Sequence, residues 1–174
     1  MIENAGKLYD GRRKAVQKGE LNLNEFSTTL TDTEKEIINK NLSKKYSFIK
    51  STKSQLVFKK DNEVFKFARF GCDDEVYDGV QVNKKEINML HKHNSKSIFL
   101  SPEELSQYVY KIKYIEPITN LDLPEFKKES AFNYVIDILD EIDEIKAFDL
   151  KRSQVGYDVE KDNIYVIDYE NLIK

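Results

Sequence analysis

The amino-acid sequence predicts one α+β domain, and three observations lead there. Apolar residues recur at helical spacing in two places, at Ile37, Ile38 and Leu42 and again at Phe132, Val135, Ile136, Leu139 and Ile142. Elsewhere the period changes to alternation, in the runs SQLVFKK, EVFKFAR and YVYKIKYI and in two short segments near the C-terminus. The length, 174 residues, is enough for one hydrophobic core.

Taken in order, residues 1–45 read as an N-terminal extension of two helices. Ile2, Ala5, Leu8, Tyr9, Ala15 and Val16 give the first a weak apolar stripe, and Gly19 is its stop signal. Thr31 followed by Glu34 forms a capping-box pattern that opens the second. Residues 46–116 read as a small antiparallel sheet with one helix. Asp61-Asn62 separates two strand-like runs and fits a two-residue hairpin turn, because Asp and Asn tolerate positive φ. That turn sets a register in which Val57 faces Lys66 and Lys59 faces Val64. Val57, Val64, Lys66 and Ala68 then share one face, and Leu56, Phe58, Phe65 and Phe67 the other. The second face is strongly apolar, and the N-terminal helices are its expected cover.

A helix is expected from about Asn83, or from an earlier start, to His93, followed by strands at SIFL and YVYKIKYI with Pro102 in the loop between them. Pro117 and Pro124 mark a linker within the final part, residues 117–174. Ser130–Ile145 carries the clearest helical spacing, and strands around Val155–Tyr157 and Ile164–Ile167 close the chain as a hairpin.

Bulk properties narrow the function classes. Charged residues make up 34% of the chain with both signs interspersed, which describes a solvated surface. The formal charge of −3 provides no basic field for nucleic acid or an anionic membrane. A lone cysteine, Cys72, excludes an internal disulfide and suits the reducing cytoplasm; it has no His or Asp context for nucleophilic work. No apolar run approaches the roughly 20 residues of a membrane span, and MIENAGKLYDGRRK lacks the apolar core of a signal peptide.

The tail, AFDLKRSQVGYDVEKDNIYVIDYENLIK, holds the residues that point to chemistry. Asp149-Leu150-Lys151 with Gln154 following, and Asp168 after the apolar run Ile164–Ile167, resemble the catalytic and metal-binding loops of protein kinases. VFKF resembles the strand that carries the family's ATP-contacting lysine, and YVYKIKYIEPI its hinge; the resemblance covers roughly Ser47 to Lys174. It rests on the order and spacing of these pieces, since no single one is specific. It implies a truncated protein-kinase-like fold that binds ATP and Mg²⁺, with a protein as substrate or partner. On that reading Asp149 orients or deprotonates the acceptor hydroxyl, Asp168 is the main Mg²⁺ ligand and Gln154 a weaker one. Lys66 reaches the α- and β-phosphates, Glu86 pairs with Lys66, Val57 and Val64 contact the base, and the backbone of Glu116 to Ile118 hydrogen-bonds adenine.

The departures from the family pattern support a second expectation, a catalytically weak or inactive module that works by binding a protein. Ser51-Thr52-Lys53-Ser54 has no glycine where the family has its Gly-rich loop. Ala147 and Phe148 replace the His-Arg before the catalytic Asp, Gln154 an Asn, and Tyr169 and Glu170 the Phe and Gly after the second Asp. The chain ends six residues after Asp168, so no activation segment is expected.

Blander readings stand beside these. Asp149 and Asp168 are two of 31 acidic residues, Lys66 could solubilise a strand edge, and Gln154 could be a turn residue. Asn83-x-x-Glu86 is itself a capping-box pattern, so Glu86 could serve a helix N-terminus. His91 and His93 do not share a helical face and have no third ligand. Asp168, Glu170 and Lys174 could instead form a nuclease-like metal site, without a basic surface to receive DNA.

Overall fold

Asp61 takes a left-handed φ of 53° in the computed structural model and turns β2 (Gln55–Lys60) back onto β3 (Glu63–Ala68). The expected register follows, with Val57 opposite Lys66 and Lys59 opposite Val64. Around this hairpin the chain builds a five-stranded antiparallel sheet in the order β1-β2-β3-β5-β4, adding β1 (Ser47–Ser51), β4 (Glu103–Ser106) and β5 (Val109–Lys113). Residues 1–21, 29–71, 78–169 and 172–173 are described; Cys72, Glu170 and Lys174 lie outside them. The chain divides into two compact units, Met1–Ile87 with Pro102–Ile112, and Asn88–Ser101 with Lys113–Lys174. Among the described residues no helix is long and apolar enough to cross a membrane.

In the first unit, α1 (Ile2–Gln17) stops where Gly19 adopts φ 71° and donates to the Val16 carbonyl at 3.0 Å. The Thr31–Glu34 capping box opens α2 (Asp32–Ile37), which continues into a π-helical turn at Ile38–Leu42. These helices cover the apolar sheet face. Ala5, Leu8, Ile38 and Leu42 form one core with Tyr46, Leu56, Phe58, Phe65, Phe67 and Val109. Each large side chain there contributes roughly 1.5–3 kcal/mol by leaving water.

Arg12 interrupts this pattern, since it falls on the buried stripe of α1 with Ala5, Leu8 and Ala15. Its partner is Glu34, which is fully buried and accepts from Arg12 Nη1 at 3.2 Å, Arg69 Nε at 2.7 Å and Arg69 Nη2 at 2.9 Å. Carbonyls of Phe70, Thr29 and Thr52 take further guanidinium donors. Charges this deep are tolerated only when paired and hydrogen-bonded throughout.

β1 lies at the sheet edge. Its register slips between Phe48 and Lys50, leaving Ile49 as an extra residue, and Phe48 and Ile49 are 43% and 45% exposed. α3 (Gly79–Lys92) follows β3. It starts four residues before the expected Asn83, because Asp78 Oδ1 accepts from the N–H groups of Val80 (3.0 Å) and Gln81 (3.2 Å) and so begins the helix upstream.

The second unit holds α4 (Glu125–Asp140) against the hairpin of β6 (Val155–Asp158) and β7 (Asn163–Val166). Three expectations are corrected here and in the sheet. SIFL is not a strand; Ile98, Phe99 and Leu100 are a buried loop whose Ile98 carbonyl accepts from Val166 N at 2.9 Å. A short apolar run is buried either way, so periodicity cannot separate the two. The strand before β5 is Glu103–Ser106 beyond Pro102, whose polar composition suits an edge. The long helix begins directly after Pro124, not at Ser130, and ends at Asp140; Ile142 and Ile145 are buried in the turns that follow and prolong the apolar spacing past the helix.

Gly79 leaves no room for a side chain. A Cβ there would lie 2.1 Å from the Ser54 carbonyl oxygen and 2.3 Å from Arg69 N, both backbone atoms that cannot swing aside. Gly79→Ala is expected to destabilise the protein at the upper end of the ~1–3 kcal/mol typical of overpacking, read as a lower urea midpoint. A midpoint equal to that of the parent would show that this approach is looser than described.

Candidate functional site

Alternation along β3 turns Lys66 away from the aromatic core, on the face it shares with Val57 and Val64. Lys66 is only 1% exposed, Val57 is buried and Val64 half-buried. Its ammonium lies 3.1 Å from Glu86 Oε2, which α3 presents from its second turn. The same oxygen accepts from Gln55 Nε2 at 3.0 Å and from the Tyr110 hydroxyl. Gln55 Nε2 also donates to Asn83 Oδ1 at 2.8 Å, and Lys66 Nζ lies 5.8 Å from the centroid of the Tyr110 ring. Glu86 Oε1 and Asn83 Nδ2 are buried and have no hydrogen-bond partner among the described residues.

The capping alternative for Glu86 is thereby removed. Asn83 lies inside α3, with its side chain tied to Gln55 rather than to a helix end. Lys66 is no edge solubiliser either, since β3 lies in the middle of the sheet and the side chain is buried. Gln55 and Tyr110 are the members that sequence reasoning missed. Gln55 had a signal, because the hairpin register that placed Lys66 also puts Gln55 on the same face, two residues before Val57. Tyr110 had only the alternation of its strand.

The turn between β1 and β2 is short and tied down. Thr52 N donates to the Gln55 carbonyl at 2.8 Å, Gln55 N to Thr52 Oγ1 at 2.9 Å, and Arg69 Nη1 to the Thr52 carbonyl at 2.7 Å.

The second unit collects the acidic candidates. Asp149 ends a 3-10 turn at Ala147–Asp149, held by its N–H to the Lys146 carbonyl at 3.0 Å and half exposed, next to Phe148 at 83% exposure. Gln154 is buried. Its Oε1 accepts from Lys151 N at 2.8 Å and its Nε2 donates to the Asp168 carbonyl at 3.1 Å. The Ile167 N–H adds a bond to the Gln154 carbonyl at 2.8 Å. Gln154 and Asp168 therefore meet at one end of the β6–β7 hairpin, and the glutamine's carbonyl oxygen has one lone pair already engaged. Tyr169 is buried against Phe99, with ring centroids 6.1 Å apart, and its hydroxyl donates to the Val166 carbonyl.

Further along the second unit, the Glu116 carbonyl accepts from Tyr157 N at 3.1 Å, and Ile118 is buried at the start of a 3-10 turn. A cleft of about 280 Å³ runs past Ile118, Leu123, Ala131, Tyr157 and Ile164. Asp149, Gln154 and Asp168 are not among its lining residues.

The described residues contain no group of three His, Cys, Asp or Glu side chains that could hold a metal ion. His93 instead packs against Phe99, with Nε2 3.5 Å from Glu144 Oε2. Burial, then the adjacent Lys92 and Lys96, push its pKa below the ordinary 6.5.

Two outcomes are expected. Glu86→Leu removes the acceptor shared by Lys66, Gln55 and Tyr110 and should cost about 3–5 kcal/mol, with part of it recovered in Lys66→Met/Glu86→Leu. Urea unfolding of the two variants checks this; equal losses in the single and double variants would deny the pair its role. His93 binds its proton less readily folded than unfolded, so it contributes stability above pH ~6.5 that is lost as pH falls below that value. His93→Gln should flatten the stability profile between about pH 6.5 and 5, and the ring resonances of His93 should titrate below the usual histidine range.

No protein-family model matches the chain, and no curated protein shows significant similarity to it.

Proposed function

We propose that this chain is a protein-kinase-like phosphotransferase that moves the γ-phosphoryl group of ATP to a hydroxyl of a protein substrate. The observation that carries the reading is the buried Lys66–Glu86 pair. A lysine at 1% exposure on the middle strand of a sheet, held by a carboxylate from the next helix, keeps its ammonium in one place. A fixed ammonium is what the α- and β-phosphates of a nucleotide require.

The remaining roles follow from the chemistry of each group. Val57 and Val64 offer apolar contact to the base, and the backbone of Glu116 to Ile118 receives its polar edge. Asp168 and the second lone pair of Gln154 Oε1 would hold Mg²⁺, which needs only one or two protein ligands when it arrives on phosphates. That ion would neutralise charge on the transferring group. Asp149 accepts a hydrogen bond from the acceptor hydroxyl. It takes the proton as the new oxygen–phosphorus bond forms and the bond to the departing ADP oxygen breaks.

A second reading draws on two specific observations. The Thr52–Gln55 turn contains no glycine and is anchored by Arg69, and Gln154 already bridges Lys151 and Asp168. Both suit a pseudokinase-like module whose loops are structural and whose work is to bind a protein partner. Neither reading involves nucleic acid or a membrane surface, and both suit the cytoplasm.

The deciding measurement is the melting temperature with and without Mg²⁺–ATP, beside Asp168→Ala. A ligand at a hundredfold excess over Kd stabilises the native state by roughly 2.7 kcal/mol. The transferase reading expects a Mg²⁺-dependent rise that Asp168→Ala abolishes, and phosphate label on protein that Asp149→Ala abolishes. No rise at millimolar ATP overturns it. A partner that stays bound to Lys66→Ala/Asp168→Ala would then establish the second reading.

A further inference from the structure

We propose that the two N-terminal helices brace α3 and thereby hold Glu86 on Lys66, with Tyr9 and Asp78 as the positioning residues. As regulation of nucleotide use the proposal rests on the transferase reading; as a mechanical coupling it does not. The Tyr9 hydroxyl, on α1, donates to Asp78 Oδ2, while Asp78 Oδ1 takes the first N–H groups of α3. The residue that begins α3 is therefore gripped from α1. The Tyr9 ring is wedged edge-on against Phe70, centroids 5.7 Å apart, and lies 5.3 Å from Tyr108. Burial, reinforced by the bond to Asp78, raises the Tyr9 pKa, so the phenol stays a donor across the physiological range.

A second grip lies one residue further along. Glu34 of α2 clamps Arg69, and Arg12 of α1 donates from Nε to the Phe70 carbonyl at 2.8 Å. The backbone of Arg69 receives α3 directly, since its carbonyl accepts from Gly79 N at 2.9 Å. Gly79 approaches too closely for any side chain to fit. The start of α3 is thus over-determined, whereas the face toward the sheet is not. There Glu86 has one oxygen and Asn83 one amide nitrogen without a partner among the described residues.

Geometry supplies the leverage. Glu86 lies seven residues beyond Gly79, a distance of about 10 Å along a helix rising 1.5 Å per residue. A tilt of about 10° at Gly79 would carry the Glu86 backbone roughly 2 Å, a large displacement for a hydrogen-bonded ion pair. Releasing Tyr9 from Asp78 would therefore loosen the Lys66–Glu86 contact, although neither residue touches it.

A double-mutant cycle tests this without nucleotide. Urea-unfolding equilibrium constants are measured for the parent, Tyr9→Phe, Glu86→Gln and the double variant. Independent distant sites multiply to within about twofold, whereas the brace predicts a departure beyond about threefold. In parallel, the side-chain resonance of Lys66 in lysine-labelled protein reports its pairing. Tyr9→Phe and Asp78→Ala should shift it. Asp78→Asn keeps one oxygen for the helix N–H groups but faces the phenol with an amide NH2 that cannot accept from it, so it should shift the signal in the same sense as Tyr9→Phe. Independence in the cycle, or a Lys66 signal unmoved by Tyr9→Phe, overturns the brace. If the parent gives no Mg²⁺–ATP response, the transferase reading fails while both measurements still decide the brace. If it does respond, Tyr9→Phe should weaken the nucleotide at least threefold.

Discussion

One buried carboxylate organises the first unit. Glu34 closes the cap of α2, binds Arg69 through two donors and meets Arg12 from α1. Two cations around one anion would be unstable in an apolar interior if any donor were left unmet. Here the carbonyls of Thr29, Thr52 and Phe70 take further guanidinium bonds, so each contact supports the others. Because those carbonyls belong to the α2 approach, the β1–β2 turn and the end of β3, the network fixes where three separate segments stand. Apolar burial alone, being non-directional, could not do that.

The sheet therefore has two chemically distinct faces. Leu56, Phe58, Phe65 and Phe67 meet the N-terminal helices in one apolar core. Gln55, Val57 and Lys66 face the other way, where Glu86 gathers three donors onto one oxygen. Such a cluster is a weak source of stability, since desolvation offsets much of its attraction. Its value is definition: it permits one arrangement of β2, β3, β5 and the start of α3.

What the sequence disclosed and what it withheld follow from the range of the forces involved. Register at Val57 and Lys66 was legible because a two-residue turn and a period of two leave no freedom. The Thr31–Glu34 cap was legible because its partners are three residues apart. The pairing of Lys66 with Glu86 came from the resemblance, and the structure brings those two side chains together. Arg12, Glu34 and Arg69 left no such trace; they are 22 and 35 residues apart, and charged residues read as surface until a fold encloses them. Gln154 was read as a ligand or a turn residue, and its side chain proves to join two loops. Strand β4 escaped notice because an edge strand need not alternate, and SIFL misled because buried loops and buried strands share composition.

The slipped register of β1 has a further consequence. An outermost strand with exposed Phe48 and Ile49 would ordinarily be a template for a second copy of the chain to lay its own strand alongside. The extra residue at Ile49 breaks the even spacing of outward backbone groups and twists the strand locally. Lysines at 44, 45 and 50 add like-charge repulsion between any two such edges brought together. The protein can thus keep oily side chains on its rim and still resist fibrillar stacking, through a mismatch of pitch combined with charge rather than by covering the edge.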